Sequence, residues 1–353
     1  MTTIYPEVMM QEDRLDIEDP TQLIAYLESA GHIQADERPQ VTTLPGGVSN
    51  RTVLLKRAAG EEWVLKQALA KLRVEADWFS DPTRIHREAA GLRWLGRHAP
   101  PGAVPELLFE DHRHHLLAMR AVPQPHRNWK ELLLAGRVVP EQVRRFGLLL
   151  GVIHRRGYQR REETARLFAD RTFFETLRLE PYYHYTATRV PTAAEFLAAL
   201  VDETRACRLT LVHGDYSPKN ILLHQGELVL LDHEVIHFGD PAFDLGFALT
   251  HLLSKALHLP SKKQDFLTAA LIFWRAYLES LAAVPWLGEL EARALRHTLA
   301  CMLARAQGRS PLEYLSAEAR ARQRDRVLAL LAAPPATLNE LLRLLGAEEN
   351  AYH

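Results

Sequence analysis

Short apolar runs bounded by turn residues dominate the first third of this chain, and helical spacing dominates the rest. Residues 1–18 are polar. Asp19-Pro20-Thr21 then predicts a helix start, with Leu23, Ile24, Tyr26 and Leu27 on the buried face and Gly31 at the end. A strand is expected from about Gln40 to Leu44, and another over Trp63 to Ala68. Asp81-Pro82 reads as a cap and first turn, followed by Ile85, Ala89, Leu92 and Leu95 at helical spacing. Glu106 to Glu110 and His115 to Met119 predict a hairpin that closes the early sheet. Beyond Pro123 and Pro125 the pattern turns helical: Asn128 to Leu134, Pro140 to Arg156, Gln264 to Leu281, Glu289 to Ala306 and Ala317 to Leu331. Thr337-x-x-Glu340 is a capping box for a last helix ending at Gly346. The expected division is 1–119 and 120–353.

One stretch breaks the helical pattern. Between Leu211 and Leu249 two short strand-like runs, Ile221 to His224 and Leu228 to Leu231, flank the turn Gln225-Gly226-Glu227. Such a hairpin places Asp215, Asn220, Asp232 and Glu234 near one end. Their oxygens are hard donors that suit Mg²⁺. The order H-G-D-x4-N, then L-L-D, fits phosphoryl transfer, where one Asp takes the proton of the attacking hydroxyl and an Asn and a second Asp hold metal.

Lys66 lies inside an apolar run, where an unpaired ammonium is costly, so it needs an anion. Glu88, beside the apolar stripe of the following helix, is the best carboxylate for it. The loop Pro45-Gly46-Gly47-Val48-Ser49-Asn50 precedes that lysine. Its glycine pair allows close backbone approach, so free N–H groups can face phosphate oxygens.

Composition narrows the class. The 353 residues suffice for two lobes with real cores, and the net charge of -1 gives no electrostatic case for nucleic acid. Two cysteines, Cys207 and Cys301, exclude a disulfide framework. No apolar run approaches the roughly 18 residues of a membrane span. The acidic start, MTTIYPEVMMQEDRLD, lacks a signal-peptide pattern, so the expectation is a soluble cytoplasmic protein with no membrane partner. His112, His114 and His115 read as a solvated turn. The sequence leaves a homodimer open.

The H-G-D-x4-N pattern, the D-x-E at Asp232-His233-Glu234 and G-D-P-A-F-D-L-G from Gly239 to Gly246 resemble the aminoglycoside phosphotransferase/choline kinase family, small-molecule relatives of the protein kinases. The resemblance implies an α+β, bilobal protein-kinase-like fold: a small antiparallel-sheet N-lobe with one main helix, and a larger helical C-lobe. It implies ATP and Mg²⁺ as cofactors and a small-molecule substrate. By it, Asp215 is the catalytic base, and Asn220, Asp232 and Glu234 are metal ligands. Gly46, Gly47, Ser49, Asn50, Lys66 and Glu88 bind the nucleotide, and Arg120 to Val122 is the hinge that reads the adenine edge. Asp244 braces the catalytic loop. Only eleven residues separate Asp232 from Asp244 and no A-P-E follows, which disfavours protein kinase activity.

Within that family K-Q-A-x3-L-R after Lys66, the run F-F-x-x-L-R-L-E-P-Y-Y and an arginine pair near a glycine resemble methylthioribose kinase. The expected acceptor is therefore a sugar or thiosugar, contacted by Tyr182, Tyr183, Arg305 and Arg309. The loop ends in Asn220 rather than the H-G-D-L-H-T-G-S of those kinases, and Ala304 stands where the pair would have its other arginine. The tyrosines read equally as helical core, and the arginines as cations favoured at a helix C-terminus. The rival substrates are an aminoglycoside or an amino-alcohol of the choline type. A nucleotide-binding regulator without turnover is the rival of another class.

Overall fold

A computed structural model describes residues 15–45, 49–73 and 79–347. The chain divides into two compact units, Met1–Ala89 with Glu106–Ala121, and Ala90–Pro105 with Val122–His353. Residues 90–105 cluster with the larger unit, which the expected cut at 119/120 does not carry. The reason is apolar: Trp94, Leu95 and Ala103 lie in the larger core.

The smaller unit contains α1 (Pro20–Ser29), β1 (Gln40–Thr43), β2 (Asn50–Lys56), β3 (Glu62–Ala68), the start of α2 (Arg84–His98), β4 (Leu107–Asp111) and β5 (Leu116–Arg120). Asp19 caps α1 by accepting from the Thr21 N–H at 2.9 Å. The five strands form one antiparallel sheet in the order β1-β2-β3-β5-β4. Leu23 and Leu27 of α1 share a core with Val53, Leu55, Leu65, Leu116 and Ala118 of the sheet. Strand alternation sends Leu65 into that core and turns its neighbour Lys66 to the opposite face. The helix after β3 begins at Arg84, later than the Asp81-Pro82 cap predicts. Asp81 instead accepts from the Thr83 N–H at 2.8 Å, closing a turn before the helix.

The larger unit begins with β6 (His126–Asn128), α3 (Trp129–Leu134), α4 (Pro140–Gln159), α5 (Arg161–Phe168) and α6 (Thr172–Phe174). A π-helix, Glu175–His184, runs on into α7 (Tyr185–Arg189), and α8 (Ala194–Ala206) follows. The four strands of the central stretch are β7 (Thr210–Val212), β8 (Ile221–His224), β9 (Glu227–Leu230) and β10 (His237–Gly239). Helices α9 (Pro241–His258), α10 (Lys263–Leu281), α11 (Leu287–Gln307), α12 (Ala317–Ala332) and α13 (Leu338–Gly346) complete it. β8 and β9 form the expected hairpin, extended by β6 on the β8 side, and β7 pairs with β10. α9 is buried on all faces from Pro241 to Ala256, which makes it the axis of the helical core. Among the described residues no helix is long and apolar enough to cross a membrane.

Glycine lets α4 and α10 approach closely. A Cβ on Gly147 would stand 2.3 Å from the Phe273 carbonyl oxygen, and one on Gly151 would stand 2.6 Å from that of Tyr277. Both obstacles are helix backbone, so relief needs a shift of α10. Gly151→Ala should therefore lower stability by about 1–3 kcal/mol through overpacking, despite its better helix propensity. Denaturant titration measures this; an unchanged midpoint would mean that the two helices slide apart freely.

Candidate active site

The loop after β7 is built around one buried carboxylate. Asp244, on the first turn of α9 and fully buried, accepts from the backbone N–H groups of His213 at 2.7 Å and Gly214 at 2.8 Å. His154 of α4 stands 3.1 Å from the same carboxylate through Nε2. Since a carboxylate only accepts, Nε2 carries the proton there, and Nδ1 faces the Tyr277 hydroxyl at 3.0 Å. Gly214 adopts φ 77°, a conformation that glycine enters without a Cβ penalty. The turn presents Asp215 next in the chain.

Asp215 is 5% exposed. Asn220 donates from Nδ2 to its Oδ2 at 2.8 Å and to its carbonyl at 3.0 Å. The five-residue spacing thus closes into a direct contact, with Pro218–Asn220 forming a short helical turn between them. The hairpin places Asp232 just past β9, where the Leu231 N–H donates to the Asn220 carbonyl at 2.9 Å. Asp232 has φ 66°, an uncommon conformation for a residue with a side chain. Glu234 is 7% exposed.

Sequence reasoning passed over the residue that gathers these acids. Arg178, in the π-helix, ion-pairs with Asp215 at 3.0 Å and donates from Nε to the Gly214 carbonyl at 2.8 Å. Burial alone would lower its pKa. The charges of Asp215, Tyr182, Glu234 and Asp232 outweigh that and raise it, so three carboxylates act on one guanidinium. A signal was available: Arg178 sits between Leu177 and Leu179, and a cation in an apolar run needs an anion. π-helical turns recur at functional sites.

The other expected site residues separate into groups. In the smaller unit Lys66 and Glu88 pair at 2.7 Å, and Glu88 is fully buried. Ser49 and Asn50 are neighbours there, joined by an Nδ2–H to Oγ bond of 3.2 Å. Gly46 and Gly47 lie outside the described residues. Arg120 uses its backbone N–H on the Glu106 carbonyl at 2.9 Å and pairs through Nε with the Glu106 carboxylate at 2.9 Å. In the larger unit the Val122 carbonyl faces His126 Nδ1 at 3.0 Å. Tyr183 belongs to the core: it is fully buried with its hydroxyl 2.7 Å from His297. Tyr182 is also buried, but its ring lies under Arg305 at 4.9 Å and Arg178 at 5.9 Å. Arg309 pairs with Glu180 at 3.2 Å on the surface. The histidine turn is more engaged than a solvated one. His114 contacts Asp111 at 2.9 Å and His115 contacts His86 at 3.3 Å.

A model of the phosphotransferase enzyme family matches residues 40–287. The chain belongs to this family. The match runs from β1 to the first residue of α11 and so covers Lys66, Asp215, Asn220 and Asp232. No curated protein matches the chain. Solved structures show the same protein-kinase-like α+β fold at low identity. Amicoumacin kinase hAmiN, determined with AMP-PNP, Ca²⁺ and Ami, has a TM-score of 0.59 at 18% identity, over 90% of this chain and 96% of that one. A choline/ethanolamine kinase family protein from Mesorhizobium loti has a TM-score of 0.57 at 15% identity, over 94% and 99%. Macrolide 2'-phosphotransferase MphH from Brachybacterium faecium has a TM-score of 0.51 at 19% identity, over 90% and 99%. As a phosphotransferase, the chain must hold its central loop in one geometry, and the Asp244 network does that.

This network gives a pH signature. Burial pushes the Asp244 carboxyl up. The His154 hydrogen bond, the charges of His154 and His213 and the His213 N–H outweigh it and hold the pKa below the ordinary value. A lowered folded pKa means that the stabilisation is complete above the unfolded value of about 3.9 and is lost as pH falls through the folded one. Asp244→Asn should cost about 3–5 kcal/mol near pH 7 and flatten the fall in stability below about pH 4. Urea unfolding at several pH values reads both effects, and a parallel fall in the two proteins would remove Asp244 from the account.

Proposed function

We propose that this phosphotransferase moves the γ-phosphoryl group of ATP to a hydroxyl of a small polar metabolite, with Mg²⁺ as the metal and a sugar or thiosugar as the leading acceptor. The observation that supports it most is the direct bonding of Asn220 to Asp215 on a loop clamped by Asp244. Asp215 accepts the acceptor's proton as the new O–P bond forms and the bond to ADP breaks. Asn220, Asp232 and Glu234 offer oxygen donors and no sulfur or imidazole, the chemistry that Mg²⁺ selects. The metal, when bound, neutralises developing phosphate charge. The Lys66–Glu88 pair orients an ammonium toward the α/β-phosphates, while Ser49 and Asn50 belong to the loop that covers them. An aminoglycoside or choline-type acceptor is the weaker reading, because Arg178 and Arg305 bring positive charge to the acceptor side.

Asp215→Asn should lower turnover about 10²- to 10⁴-fold, the scale of general-base loss, and leave ATP affinity nearly intact. Steady-state kinetics with a phosphorylated acceptor tests it, and near-wild-type turnover would sink the assignment. Asp232→Ala should weaken binding of Mg·ATP far more than that of metal-free ATP, with Glu234→Gln showing a smaller loss in the same direction. Calorimetry on both nucleotide forms separates the two, and equal losses would take Asp232 out of the metal shell.

A further inference from the structure

Basic side chains continue beyond Asp215 through the larger unit. Phe247 and Tyr182 carry two guanidinium groups between them: Arg305 lies 5.4 Å and 4.9 Å from their ring centres, and Arg178 lies 6.0 Å and 5.9 Å away. Phe247 next contacts the His251 ring at 5.1 Å. Lys255, one turn along α9, donates to the His251 carbonyl at 3.1 Å and lies 5.3 Å from the Tyr314 ring. Arg305 donates to the Ser310 carbonyl at 2.8 Å, which ties the end of α11 to the segment that carries Glu313 and Tyr314. Glu313 pairs with Lys130.

Two features mark this run as built for a ligand. The first is its charge balance. Lys255 is fully buried, yet its ammonium donates to a carbonyl, that of His251. Burial, with Lys130 and Arg305 as like charges and Glu313 opposing, pushes its pKa down to about 7. Burial, Arg305, Lys255, Lys130 and Lys219 hold His251 well below its ordinary value. The second is unmet hydrogen-bonding capacity. His251 Nε2, Ser254 Oγ, Arg305 Nε and the Tyr314 hydroxyl are buried atoms without a hydrogen-bond partner, and His251 as a whole is 5% exposed. Such clustering of donors and cations is costly unless an acceptor of negative charge completes it.

We propose that the phosphoryl acceptor carries, besides its hydroxyl, an oxyanion of the carboxylate or phosphate-monoester class, bound by Arg305, His251 and Tyr314. The proposal rests on the reading of Asp215 as the base that receives the acceptor's proton. Arg305 and the Tyr314 hydroxyl supply donors, His251 supplies Nε2–H, and the fully buried Lys255 supplies charge. Arg178 links this anion site to Asp215 by sharing the rings of Tyr182 and Phe247 with Arg305. A cationic amino-alcohol or aminoglycoside would meet the like charge of Arg305 at this end of the site.

The test is a matched set of four probes, ribose, ribonate, ribose 5-phosphate and 1-amino-1-deoxyribitol. Each is titrated calorimetrically into the full-length chain saturated with Mg·AMP-PNP. At least one anion should bind ten-fold or more tighter than ribose, and the amine should bind more weakly than ribose. The carboxylate and phosphate arms show which oxyanion the site prefers. Binding of the preferred anion should also take up protons, seen by repeating the titration in buffers of different ionisation enthalpy, because the anion raises the pKa of Lys255 and His251. Lys255→Met removes a buried charge at nearly constant volume, so it should fold, and it should erase most of the preference and the proton uptake. Arg305→Met should do the same. Anions binding no better than ribose, a preference that survives both substitutions, or no binding by any probe or by inorganic phosphate would overturn the proposal. If the anions bind with the expected preference and ATP is never consumed with any of them, the anion site stands and the kinase reading above fails instead.

Discussion

A single carboxylate governs the working geometry of this phosphotransferase. Asp244 takes two successive backbone N–H groups and the His154 imidazole, and so fixes the turn from which Asp215 projects. Peptide N–H groups in a water-free interior must be paired, and the pairing here is with a charge, which roughly doubles the strength of each bond. Asn220, Arg178 and the β8–β9 hairpin can then meet Asp215 because its backbone is no longer free to move. α4, α9 and α10 each supply a member of the network, so the packing of the helical core and the position of the loop are one problem.

Much of this was legible in the sequence because the signals were spaced and of different kinds. H-G-D-x4-N, the Gly226 turn and the D-x-E each constrain one another, and the hairpin that they predict is the one found. Lys66 was legible through cost alone: an ammonium in an apolar strand demands an acid, and Glu88 is that acid. Apolar spacing located most of the long helices; it started α2 too early, where Asp81 caps a turn instead, and it gave no bounds for the helices between Arg161 and Ala206 or for α9.

The same cost falls on two other cations in apolar surroundings. Arg178 lies between two buried leucines and Lys255 lies in L-L-S-K-A-L, so each needs a counterpart as Lys66 does. The helical regularity around them hid the anomaly, since a charge on a helix is assumed to reach solvent. Arg178 does not, because the chain around it follows a π-helical path whose periodicity cannot be seen in apolar spacing. Tyr182 and Tyr183 show the limit from the other side. Adjacent and chemically equal in sequence, they diverge in space, one under two arginines and one against His297 in the core.

The left-handed backbone at Asp232 carries a consequence of its own. A residue with a side chain held there stores on the order of 1 kcal/mol or more, retained because the Leu231–Asn220 bond and the hairpin overdetermine the path. Glycine would occupy the same conformation without that cost. A population of variants screened only for thermal robustness would therefore drift toward glycine at this position and shed the carboxylate. If Asp232 holds metal as proposed, selection for heat resistance and selection for phosphoryl transfer pull this one residue in opposite directions.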